Sequence, residues 1–67
     1  MKKLNEITNE DTIFCQQVLN LNDIPDLNYT KRIIANIFTK GVRLTNIKGM
    51  DIIKIYNHLK DKYELPI

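Results

Sequence analysis

Apolar residues recur at helical spacing in three stretches of the chain. In the first, Phe14, Val18 and Leu21 share one face, with Ile13, Cys15 and Leu19 flanking it. Thr8 is an N-cap residue type, Asp11 stands three positions on as in a capping box, and Ile7 precedes the cap as a hydrophobic staple. Glu10 and Asp11 then lie in the first turn, where carboxylates meet the positive end of the helix dipole. These signals predict a helix over residues 9–21. Its apolar arc is wide enough for the helix to sit in mid-core or to offer part of itself to a partner.

Pro25 disfavours helical geometry at Ile24, and the Asn and Asp residues around it bond readily to their own backbone, so 22–26 reads as a turn. A second helix is predicted over 28–40, with Gly41 just past its end and Lys40 in its last turn. Ile33, Ile34, Ile37 and Phe38 point inward with Leu27 nearby, and Tyr29, Arg32, Asn36 and Lys40 fall opposite. Residues 42–49 read as an extended loop, in which a strand would have no partner. A third helix is predicted over 50–63, where Ile52, Tyr56, Leu59 and Tyr63 follow a regular helical repeat beside Ile55. Lys54, Asn57, His58 and Asp61 then face outward. The expected fold is all-α: one compact three-helix domain spanning 1–67, with residues 1–7 as a flexible N-terminal arm.

Composition removes several classes. Sixty-seven residues allow one small core. No apolar run approaches membrane-spanning length, so no membrane association is expected. The lysines at the start have no apolar stretch behind them, which argues against a signal peptide. Cys15 is the only cysteine, so there is no disulfide framework, and a reducing cytoplasmic setting is expected.

The net charge of +2 hides an asymmetry. Residues 1–28 carry −3 and residues 29–67 carry +5, and the stretch 31–48 holds five cations and no acid. Phosphates are bound by cations on one surface with polar donors and a stacking ring among them. Tyr29, Arg32, Asn36 and Lys40 on the second helix, with Arg43 and Lys48 in the loop, supply such a set. Solvated lysines and arginines at helical spacing produce the same pattern without any ligand.

Motif signals are partial. A helix-turn-helix turning at Gly41 would need a small residue where bulky Ile37 stands. Residues 44–51 are loosely similar to the hairpin of helix–hairpin–helix DNA-binding modules: Gly49 matches the first glycine, but Asp51 takes the place of the second. The run from Gly41 to Ile53 is also similar to the helix–loop–helix modules of the SAP and Rho N-terminal type, which bind nucleic acids. Neither likeness covers half the chain, and neither defines membership. Cys15 beside an apolar face is expected to be a buried, inert thiol. His58 and Asp61 share a helical turn but lack a third metal ligand. No enzyme activity and no cofactor are expected.

Two readings follow. In the first, this is a small accessory or regulatory protein of the kind phages and mobile elements encode, binding DNA or RNA through residues 29–48. In the second it is an inhibitor, adaptor or small subunit that docks on a larger protein or dimerises, using Ile13, Phe14 and Leu19 of the first helix.

Overall fold

The computed structural model describes residues 1–40 and 49–65, apart from the side chain of Lys40. Its elements in order are strand β1 (Lys2–Lys3), a 3-10 turn (Leu4–Glu6), helices α1 (Asn9–Val18), α2 (Leu27–Lys40) and α3 (Gly49–Leu59), and strand β2 (Tyr63–Glu64). Three helices dominate, as the periodicity predicts. The helix α1 packs against both α2 and α3, and the 3-10 turn rests on α2.

Local chemistry explains where the helices start. The amide of Asp11 donates to Thr8 Oγ1 at 3.2 Å, and the Thr8 hydroxyl donates back to Asp11 Oδ2 at 3.1 Å. At α2 the cap is Asp26, whose Oδ1 accepts the Asn28 amide at 2.9 Å.

The end of α1 departs from the expected boundary by three residues. Asn20 adopts φ 59°, in the left-handed region. The Leu21 amide then donates to Gln16 O at 2.9 Å and the Asn20 amide to Gln17 O at 3.1 Å, the two bonds of a Schellman motif. Asn is the non-glycine residue best suited to that conformation. Gln16 also donates from Nε2 to Ile24 O at 2.7 Å, which ties the following turn to the helix.

The third helix is shorter than predicted too. It stops at Leu59, and the chain turns through 60–62 so that Tyr63 lies in β2 rather than on a helical face. Tyr63 is nevertheless buried, as the helical repeat implied, while Tyr56 on that repeat is exposed. β2 pairs in parallel with β1, setting Lys2 beside Tyr63 and Lys3 beside Glu64. Residues 1–7 are thus folded onto the domain instead of forming a flexible arm, with Ile7 in the core.

That core joins Ile7, Cys15, Leu19, Ile33, Ile34, Ile37, Phe38, Ile55, Leu59 and Tyr63. Cys15 is fully buried, and burial, with the Asp11 charge adding to it, pushes its thiol up to about 12. Modification of the native protein by a thiol reagent at pH 8 is therefore expected to be far slower than of the urea-unfolded chain. Equal rates would show Cys15 to be accessible.

Gly49 and Asp51 belong to the first turn of α3, not to a hairpin. The rest of the predicted loop, including Arg43 and Lys48, lies outside the described residues. Among the described residues no helix is long and apolar enough to cross a membrane.

Candidate nucleic-acid interface

The outward side of α2 carries Tyr29, Arg32 and Asn36, as periodicity predicts. Arg32 is exposed, Tyr29 is 42% exposed, and Asn36 is half-buried at the edge of the same face. Lys40 ends the helix. Among the described residues Arg32 takes part in no ion pair, and the helix itself contains no carboxylate. The structure thus keeps Tyr29, Arg32 and Asn36 on one helical face.

It also adds partners that α2 alone does not reveal. The 3-10 turn and α2 enclose an open cleft of about 270 Å³. Leu4, Ile7 and Ala35 give it an apolar floor, and Asn5, Asn28, Lys31 and Arg32 line it with polar groups. Lys31 Nζ donates to Asn9 Oδ1 at 3.1 Å, bridging α2 to the start of α1. An ammonium has three donors, so this bond leaves two for a ligand. Lys2 and Lys3, which count with the acidic third in sequence, lead directly into the turn that walls this cleft. Asn5 lies outside the site expected from sequence because its half of the cleft comes from a segment more than twenty residues away, whereas Asn28 and Lys31 lie on α2 itself, beside the face that periodicity selects.

A second polar cluster lies around Asp11, which is buried. Its Oδ2 accepts the Tyr63 hydroxyl at 2.7 Å, and its Oδ1 accepts His58 Nε2 at 2.9 Å and Lys62 Nζ at 3.1 Å. A carboxylate only accepts, so Nε2 carries the proton in this contact. The Thr8 amide donates in turn to the Tyr63 oxygen at 3.1 Å. The Tyr63 bond, followed by those of His58, Lys62 and Thr8, holds the Asp11 carboxyl well below the usual carboxylate range against the opposing effect of burial.

His58 is therefore not an outward-facing surface residue. Its ring stacks on Phe14 with centroids 3.8 Å apart and 14° between the planes. With one nitrogen held by Asp11 and one face covered by Phe14, it fastens α3 to α1. Asp61 does not join it, and among the described residues no three metal-binding side chains converge. The spacing of His58 from Asp11, 47 residues, hid this pair from any local motif search.

The face of α1 expected to meet a protein partner is largely used inside the fold. Leu19 is 8% exposed within the core, and Phe14 packs on His58. Only Ile13 of the three remains exposed. Exposed apolar side chains concentrate on α3 instead, where Met50 is 69% and Ile53 59% exposed, with Tyr56 beside them. No family model matches the chain, and no curated protein or solved structure is significantly similar to it.

Proposed function

We propose that this protein binds nucleic acid through the outer face of α2, acting as a small non-enzymatic accessory or regulatory factor. The observation that carries the reading is the carboxylate-free helical face on which Arg32 stands beside Tyr29, Asn36 and Lys31 with no acidic partner among the described residues. Such a face meets the requirement for phosphate contact, which is positive charge free of intramolecular neutralisation. Tyr29 offers a ring for stacking, and Asn36 offers both a donor and an acceptor. Lys62 and His58, by contrast, are engaged by Asp11.

The test is a salt titration against DNA and RNA of the natural chain and of a double variant, Arg32→Glu with Lys40→Glu. Affinity of the double variant is expected to fall at least about tenfold, and the slope of log K against log salt to flatten by roughly two units, one for each phosphate contact removed. An unchanged affinity and slope would overturn the proposal. A second reading, docking on a protein, rests on the exposed Met50, Ile53 and Tyr56 of α3, because on α1 Leu19 and Phe14 are used inside the fold and only Ile13 remains exposed.

A further inference from the structure

The cleft between the 3-10 turn and α2 has a composition that phosphate binding alone does not explain. Its floor of Leu4, Ile7 and Ala35 is apolar, and its rim carries two carboxamides next to two cations. Neither the Asn5 nor the Asn28 side chain bonds to another described residue, whereas the cations Lys31 and Arg32 stand on successive positions of the helix at the same rim. A flat apolar face, an edge of donors and acceptors, and an attached anion are the three parts of a nucleotide. Carboxamides pair with base edges in both donor and acceptor senses, and an apolar surface takes up the face of an unstacked base.

We infer that this cleft is a base-binding subsite, so that the preferred ligand is single-stranded nucleic acid. One base lies on Leu4, Ile7 and Ala35, with its edge toward Asn5 and Asn28 and its phosphates on Lys31 and Arg32. The inference rests on the nucleic-acid reading above and makes it more specific. In a duplex the faces of the bases are stacked and inaccessible, and bringing one out costs unpairing energy. A duplex can therefore use the cations but not the floor. The volume, about 270 Å³, is slightly below the range of pockets for drug-sized ligands and suits one base rather than a stack of several.

The experiment compares a labelled oligothymidylate, which does not fold on itself, with a duplex of equal length at one salt concentration. The proteins are the natural chain and Ala35→Leu, which fills the floor without altering charge. The natural chain is expected to prefer the single strand by about tenfold or more, and Ala35→Leu to lose that preference while keeping its duplex affinity. Equal affinity of the natural chain for both probes, or an unaltered preference in Ala35→Leu, would overturn the subsite and leave the cationic face standing. Binding of neither probe would overturn the functional reading itself. Should Ala35→Leu lose helical structure, the pair Asn5→Ala and Asn28→Ala decides the matter: loss of the preference supports the subsite, and its retention overturns it.

Discussion

Replacing Asp11 by alanine is expected to destabilise the protein by about 3 kcal/mol, measured by urea denaturation at pH 7. A small domain has only on the order of 5 kcal/mol in hand, so much of the population would unfold at physiological temperature. The loss comes from the groups that the substitution leaves without a partner. The Tyr63 hydroxyl and Asp11 Oδ2 form a buried bond at 2.7 Å, and His58 and Lys62 meet the other oxygen. Without the carboxylate, a buried hydroxyl loses its acceptor and two donors lose their anion. Breaking a fully buried ion pair costs about 3–5 kcal/mol. Here Lys62 is 52% exposed and regains water, which places the loss at the lower end.

The same network fixes the sign of the acid response. Asp11 ionises at lower pH in the folded chain than the roughly 3.9 of an unfolded aspartate. Its contribution is then fully present above the unfolded value and is lost as pH falls toward the folded one. Stability should decline below about pH 4.5 in the natural chain, and Asp11→Asn should flatten that decline. A variant with the full acid response would assign the effect to other carboxylates.

The second large effect is expected for Ile34→Ala, at about 3–4 kcal/mol. Ile34 is fully buried on the inner face of α2, and the core it belongs to comprises few other side chains. Removing its outer carbons loses their transfer energy and leaves a void that rigid helices close only in part. For a domain of this length that corresponds to a fall in Tm of about 15 °C or more. A loss below about 1 kcal/mol would mean that the site collapses freely around the smaller side chain.

Much of this architecture is legible in the order of residues, and the exceptions share a cause. Thr8 and Asp11 announce the start of α1, and the inward isoleucines of α2 are where the repeat puts them, because caps and helical faces are set by neighbours a few positions apart. The end of α1 is not legible because Asn20 continues a helix as plausibly as it stops one; the two Schellman bonds decide the matter. The spacing puts Tyr63 on a helix because burial at that interval looks helical whether the chain reaches the core by a fourth turn or by a strand. The pairing of Asp11 with residues 58, 62 and 63, and the cleft shared by Leu4 and Ala35, join segments distant in sequence. No local pattern encodes them.

The parallel pairing of β1 with β2 has a mechanical consequence. Force applied to the chain near residue 1 would draw β1 backward along its axis, and force near residue 65 would draw β2 forward along the same line. The strands are then loaded in shear, so their bonds share the load and must rupture together rather than open one after another. The Asp11–Tyr63 bond lies beside that junction and links β2 to α1. Stretched end to end, the molecule would resist first at this clasp, and the helices would feel the tension only after it had given way.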